Sequence, residues 1–542
     1  MSPSPIDRRE FLASGLVLAG AGVLGVSTAA CSADQGVAPQ ATPPDDAAAR
    51  ADRPSTADLV EPRVIASVGG VLATAFTAST NPAVVAGRRV RQPVTYDGTF
   101  PGPTLWVRPG DTIDLTFTNR IVFAQTDTHP GYGRPPRVDN RANLHYHGMH
   151  ISPTGTADNM LVSLLPHESF RYLFEIPLDH PAGLYWYHDH IHGLVTNHVG
   201  RGAAGMLYVA DAHTDHVAAL GIRRRLMLLQ QAFLEEDDET LTADDSNRDD
   251  PNLALSLING QLMPEIQMRP GEPQAWAIGN GSTSAFYELR LEGHTFDVIA
   301  EDGIPLVGPG RLGQETLVLP SAKRFEVVVR AKDARGRYTL SYDEYNQGVD
   351  TWPRKSVATV VVAGPAWSGA SFPGLDTANA PQDLRSAYVP EDRKRTLVLG
   401  VDESVAEGEF GRFTINGRAY DPNFIEWTST LDTVEEWQFV NETEQEHPFH
   451  VHVNPFQVTK VNGVAVGFDG YQDTAIVPRF GSLTVRTRFT DFVGSPILIH
   501  CHILDHEDMG MMTSFAIEGP GLRALGLTSR SGRAVVASRA AR

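Results

Sequence analysis

A chain of 542 residues is too long for one ordinary hydrophobic core, so several domains are expected, and an apolar fraction of 42% excludes a disordered protein. A formal charge of −20 excludes a general nucleic-acid binder, because such a surface repels phosphates instead of releasing their counterions. No internal apolar run is long enough to span a bilayer, so no transmembrane segment is expected in the mature body.

The chain begins with a segment that reads as an address, not as fold. Arg8-Arg9-Glu10-Phe11-Leu12 sets a twin arginine before an apolar stretch from Phe11 to Val26, which makes residues 1–31 a twin-arginine-type signal. Export to the periplasm, cell surface or medium is the expectation. Thr28-Ala29-Ala30-Cys31 resembles a bacterial lipidation site, with Thr28 where Leu is usual, so Cys31 is either a lipid anchor or part of a discarded leader. Residues 32–59, rich in Ala, Pro, Asp and Ser, read as a flexible tether. The mature body then holds one cysteine, Cys501, and no internal disulfide. A lone thiol outside the cytosol oxidises unless something holds it, and metal ligation is the obvious holder.

From residue 60 onward, short β-branched and aromatic runs alternate with Gly, Pro, Asn and Asp, which favours an all-β fold. A degenerate repeat occurs three times. The first copy runs from Phe100–Thr104 through Val107–Asp111 to a strand ending at Asn119. The second is Ile258-Asn259-Gly260, then Met268–Gly271 and a strand to Asn280. The third is Ile415-Asn416-Gly417 and the strand Val434–Asn441. Spacing of about 150 residues gives one β-sandwich per copy, at 60–215, 216–370 and 385–520. A linker falls at 371–384, overlapping the Gly/Pro/Ser/Ala-rich Ala363–Asp383, and a tail at 521–542. Glu235–Asp250 holds nine acids in sixteen residues and reads as a solvated loop or a weak cation site.

Ten of the 19 histidines fall in four dense groups. These are His145-Tyr146-His147, His188-Asp189-His190, His447-Pro448-Phe449-His450-Val451-His452, and His500-Cys501-His502 with His506. On a strand, residues i and i+2 project to one side, so each His-x-His offers two imidazoles to one place. In His500-Cys501-His502 the thiolate points away from both imidazoles, and one element can join two metal centres. Cys501, His447 and His506 form a two-histidine, one-thiolate set with Met511 as a weak axial donor, which favours copper in electron transfer over zinc. Eight histidines remain. They match no mononuclear site and suffice for a cluster with room for dioxygen.

Together the motifs His145–Gly148, Trp186–His190, His447–His452 and His500–Met511 resemble those of the three-domain multicopper oxidases, a group that includes bacterial and spore-coat laccases. The resemblance covers residues 60–520 and implies three consecutive cupredoxin-like Greek-key β-sandwich domains. It implies four copper ions: a type 1 ion on Cys501, His447, His506 and Met511, a type 2 ion on His145 and His450, and a type 3 pair on His147, His188, His190, His452, His500 and His502. By the same token, one-electron donors are oxidised at the exposed edge of His447 or His506, and dioxygen is reduced to water between the first and third domains. Acids must deliver protons there, and Asp158 and Glu507 are the candidates, Glu507 because it adjoins His506. Asp189 is expected to orient its neighbours, and His150, His192 and His198 to lie outside the ligand sets. With ten methionines and no methionine-rich insert, the expected donor is a small phenol or aromatic amine, and the expected state a monomer. The alternatives are a metal-ion oxidase, a bilirubin-type oxidase, a copper nitrite reductase, or a copper-free structural protein on the same sandwiches.

Overall fold

The computed structural model describes residues 57–123, 140–243, 246–248, 250, 252–374 and 381–519. The signal, Cys31, most of the tether and the C-terminal tail lie outside them. Strands take up 47% of the described residues and helices 6%, as the all-β reading requires.

Period-2 burial accounts for the strands. In Thr112–Arg120, Ile113, Leu115, Phe117 and Asn119 face inward while the residues between them are half-buried. This strand sits in a four-stranded sheet with Thr95–Tyr96, Val71–Ser79 and Ser169–Glu175. A five-stranded sheet runs in the order Val64–Ala66, Gly102–Val107, Ala204–Val209, Gly183–His188 and His145–His147. Side chains of both sheets meet in one core around Phe76, Leu105, Phe117, Tyr146, Tyr187 and Leu207. A second pair of sheets draws on strands from Arg223 to Val362, and a third on strands from Lys394 to Glu518. In the middle sandwich, Pro273–Asn280 is buried at every position. Its Ala277 packs with Leu184, Trp186 and Met206 of the first sandwich, so this strand has no solvent face to alternate toward.

The threefold repeat has a physical basis. Asn280 and Asn441 each end a strand and Asn119 stands one residue before the end of its own, and each Oδ1 accepts the backbone N–H two residues on, at 2.9 Å. Each Nδ2 donates to two carbonyls of neighbouring segments. The turns that open the repeat need one correction. Asn259-Gly260 and Asn416-Gly417 are left-handed at both residues, and the equivalent pair in the first sandwich is Asp97-Gly98, not the Phe100–Thr104 segment. All three side chains accept a backbone N–H from an adjacent strand at 2.8–2.9 Å. Asp can replace Asn because this shared contact uses only the oxygen, although Asn259 and Asn416 also donate through Nδ2, to the Leu226 carbonyl and to Glu426.

The first part of the acidic run, Glu235–Thr242, is tied to the sandwiches and is no purely solvated loop. Asp237 and Asp238 form ion pairs with Arg91 and Arg88 of the first sandwich, and Leu241–Thr242 pairs with the strand Arg223–Leu234.

Among the described residues three short α-helices interrupt the sheets: α1 (Val195–Gly200), α2 (Ala212–Ala219) and α3 (Leu504–Asp508). Helix α1 has Leu194 at its N-cap and no local side-chain cap. Asp508, at the end of α3, supplies one across the domain boundary, accepting from the backbone N–H groups of Gly193, Val195 and Thr196.

Candidate metal centre

Strand pairing gathers the histidine motifs. His188 lies opposite His145 and Trp186 opposite His147 at the edge of the first sandwich. In the third, His450 lies opposite His500 and Phe449 opposite Cys501. His190, His452 and His502 follow immediately where those strands end.

Eight imidazoles from the two sandwiches converge. The rings of His147 and His450 stack at 3.8 Å and those of His145 and His452 at 4.2 Å, each pair crossing the domain boundary. The Nε2 atoms of His190 and His452 approach Nε2 of His500 at 3.3 and 3.1 Å. His147, His188 and His502 lie with ring centroids 5.0–5.7 Å apart. All eight are buried, and burial comes first among the causes that depress their basicity, His190 and His500 to about 4. They are therefore neutral imidazoles, the form that ligates a metal.

Their outward nitrogens are anchored. His145 Nδ1 donates to Asp158 at 2.9 Å, His188 Nδ1 to the Asp189 carbonyl at 2.8 Å, His450 Nδ1 to the Asp473 carbonyl at 2.9 Å, and His500 Nδ1 to the Cys501 carbonyl at 3.0 Å. The opposite nitrogens are not. His145 Nε2, His147 Nδ1, His188 Nε2, His450 Nε2 and His502 Nε2 are buried with no hydrogen-bond partner. An orphaned buried polar atom costs about 1–3 kcal/mol, and five in one place amount to a burden that bound metal would lift. The donor set fits a metal cluster.

A second cluster lies on the other side of Cys501. Its Sγ is 3.4 Å from His447 Nδ1 and 3.9 Å from His506 Nδ1, and those nitrogens are 3.3 Å apart. All three are buried, and burial holds the thiol well above its usual range and His447 down to about 3. Thiolate formation here calls for a cation among the three atoms. Met511 is fully buried in the same apolar cluster as Cys501, whereas Met509 and Met512 are outside it. Backbone bonds tie Met511 to both ligand segments: Cys501 N–H donates to its carbonyl at 3.1 Å, and its own N–H donates to the His506 carbonyl at 2.8 Å.

Of the two imidazoles expected to offer an edge, only His506 keeps any surface. His447 has no exposed edge. Its Nε2–H donates to Thr443 Oγ1 at 2.7 Å, and Thr443 in turn donates to Asn441, the residue that ends the third repeat. His506 keeps 4% exposure, with its ring stacked on Phe413 at 3.8 Å. Glu507 adjoins His506 in sequence, but its side chain turns toward the eight-histidine cluster. Its carboxylate lies 3.0 Å from His500 Nδ1 and 3.4 Å from His190 Nδ1, without the alignment of a hydrogen bond. Burial raises it to about 8. Asp158 is also raised to about 8 by burial, and it accepts from Tyr146 N–H as well as from His145.

The neighbouring polar residues sort clearly. Asp189 accepts from the backbone of Asn143 and Ile191 and is an orienting group, as expected. His150 bridges to the Val453 carbonyl and Asp491, and His192 lies between Phe410 and Tyr420. His198 is buried beside Asp189. Sequence reading missed Thr443, Asp473 and Arg324. The available signal for Arg324 was a basic pair, Lys323-Arg324, at the start of the strand Arg324–Arg330, whose centre is the apolar run Val327–Val329.

Models of the multicopper oxidase family match residues 136–214, 186–363 and 393–520, together more than half of the chain. The chain is 26% identical to a laccase of Haloferax volcanii, over 95% of its own length and 91% of that protein. It is 24% identical to multicopper oxidase mco of Staphylococcus aureus, over 77% of this chain and 82% of that one. A solved multicopper oxidase from Campylobacter jejuni, described as a metallo-oxidase, superposes with a TM-score of 0.70 over 85% of this chain and 96% of that chain at 23% identity, which shows a common cupredoxin-like fold. A chain matched by this family's models along its body, with its histidine and cysteine motifs folded into two adjoining buried clusters, belongs to the multicopper oxidases, copper-binding oxidoreductases that pass electrons from a reducing substrate to dioxygen.

Proposed function

We propose that the enzyme is a laccase-like oxidase that couples four one-electron oxidations of phenols or aromatic amines to the reduction of dioxygen to two waters. In this reading Cys501, His447 and His506, with Met511 as a weak thioether donor, would hold the type 1 copper. His145 and His450 hold the type 2 ion, and His147, His188, His190, His452, His500 and His502 hold the type 3 pair. The five orphaned nitrogens all belong to ligands of the last two groups, which supports the assignment. Bound copper supplies reversible one-electron redox chemistry and the site at which dioxygen is reduced.

The residues do the rest. His506 is the point of electron entry, because it alone of the type 1 imidazoles keeps any surface. Cys501 connects that entry to His500 and His502 by two short covalent branches. Glu507 carries a proton at a carboxyl oxygen beside His500 and His190, and its burial favours the protonated form near neutral pH. Asp158 holds the His145 tautomer that leaves Nε2 free.

The observation that carries the donor class is the rim above His506. Phe413 covers the ring, Phe410 is 44% exposed nearby against His192, and Tyr420 stands on the other side of His192. Met511 and Met512 are fully buried and Met509 keeps only 5%, about as much as His506, so the rim offers a donor at most one thioether. An aromatic rim favours aromatic donors by stacking. Oxygen uptake by the copper-loaded enzyme, with a methoxyphenol, ferrous ion and cuprous ion compared at equal concentration, tests this. The phenol is expected to give the highest kcat/KM; a tenfold preference for either metal ion would replace the reading with metal-ion oxidation. Copper content near four per chain is expected, against about two for a nitrite reductase and none for a scaffold protein.

We also infer export in the folded state by the twin-arginine route, on the strength of Arg8-Arg9 before an apolar segment, with Cys31 either lipidated or removed. The sandwich boundaries are taken at 60–215, 216–370 and 385–520. A monomer suffices, because both clusters are completed within one chain.

A further inference from the structure

Arg324 belongs to the second sandwich, which contributes none of the histidines of either cluster, yet it is fully buried against them. Its guanidinium grips Asp473 as a fork, Nη1 to Oδ1 at 2.8 Å and Nη2 to Oδ2 at 2.6 Å. The remaining donors reach carbonyls on two sides: Nε to Leu184 of the first sandwich at 3.3 Å and Nη2 to Asp302 of the second at 2.9 Å. This one side chain therefore touches all three sandwiches. Both oxygens of Asp473 accept from it, and Oδ1 accepts from Thr474 Oγ1 at 2.8 Å as well, so the carboxylate is held in one direction.

Asp473 holds two imidazoles from different sandwiches at the same end. His147 Nε2 donates to its Oδ1 at 3.3 Å, and His450 Nδ1 donates to its backbone carbonyl at 2.9 Å. The nitrogens left over, His147 Nδ1 and His450 Nε2, are two of the orphaned atoms of the cluster. Gly148 makes the approach possible. A Cβ at that position would stand 2.3 Å from Arg324 Nη2 and 2.5 Å from Asp473 Oδ2, and its φ of +83° is one that a side-chain-bearing residue rarely adopts.

We propose that Arg324 is a positioning residue for the copper cluster, locking Asp473 so that this one residue sets the tautomer and direction of both His147 and His450. A neutral pair of the same shape would fill the space equally well; the bidentate fork adds a fixed direction, which lysine cannot reproduce. The proposal rests on the ligand assignment above and deepens it.

The test uses the full-length, copper-loaded protein and the variants Asp473→Asn and Arg324→Lys. Neither residue contacts Cys501, His447 or His506, so the blue absorption of the type 1 copper is expected to persist. Removal of cluster copper by a competing chelator should become 10- to 100-fold easier in Asp473→Asn, the usual consequence of losing an outer-sphere partner, with a changed type 2 electron paramagnetic resonance spectrum. Arg324→Lys should move both readouts in the same direction by less. If Asp473→Asn fails to fold, Arg324→Lys decides by the same measurements. Unchanged cluster affinity and spectrum would overturn the proposal. So would loss of blue colour and cluster copper together, or failure of both variants to fold, since each marks a role in the scaffold alone. A parent protein without cluster copper would instead defeat the ligand assignment itself.

Discussion

Cys501 shows how much one side chain can be made to do when its neighbours on the strand point the other way. Its sulfur faces His447 and His506, while the flanking His500 and His502 face the eight-histidine cluster. Cys501→Ser should therefore abolish the blue absorption and electron entry while sparing the other coppers. The stability cost should be about 1–3 kcal/mol, that of a hydroxyl placed in a buried site; absorption near its original strength would remove Cys501 from the type 1 set. Glu507 was legible in the sequence as an acid beside a ligand, but its partner was not. Because its carboxylate faces His190 and His500, Glu507→Gln should leave reduction of the blue copper by donor unchanged. Reoxidation by dioxygen should slow by roughly 10²–10⁴, the range expected when a general acid is lost. Stopped-flow traces of the two half-reactions separate these steps, and full-speed reoxidation at full copper loading would exclude the proton role.

The elements were more readable than their junctions. Alternation in Thr112–Arg120 and the Asn that ends each repeat can be recognised in the sequence, because both depend on neighbours a few residues away. The complete burial of Pro273–Asn280 could not, since it arises from packing on another sandwich. Helix α1 is a similar case. Nothing local caps it, and its stability depends on Asp508 more than 300 residues away. Asp508→Ala should cost roughly 1–3 kcal/mol, because it strips three backbone N–H groups of their acceptor where the helix starts. Hydrogen exchange should accelerate at residues 193–196 first. Exchange unchanged there would mean that α1 is held by packing alone.

At the scale of the whole molecule, the first and third sandwiches are fastened outside the copper cluster as well as through it. His150 donates its backbone N–H to His180 Nε2 at 3.0 Å, and its ring reaches the Val453 carbonyl and Asp491 in the third sandwich. His180 Nδ1 donates to the Pro181 carbonyl at 2.9 Å, so the ring is held neutral, and burial lowers it to about 3. The unfolded chain binds a proton on this residue below about 6.5, while the folded chain does so only near 3. Its contribution is thus complete above pH 6.5 and is lost as pH falls toward 3, by about 2 kcal/mol at pH 5. His180→Gln keeps an acceptor and a donor without the titration. The stability difference between parent and variant, read from urea midpoints, should therefore narrow by about that amount between pH 7 and pH 5; a constant difference would refute the assignment. The sequence by itself determined the chemistry: which atoms could bind copper, that strands would present them in pairs, and that one thiolate would join two centres. These follow from residue type and from the period of a strand, both local properties. Tertiary structure alone decided that His447 is sealed by Thr443 while His506 keeps an edge, that Glu507 turns toward His190 and His500, and that Arg324 of the second sandwich locks Asp473 against His147 and His450. Those outcomes depend on which surfaces meet when three sandwiches pack, and the Arg324–Asp473 contact joins residues 149 positions apart. No local pattern records such a meeting, because any exposed-looking charge can become a buried brace once a partner of opposite sign is folded against it.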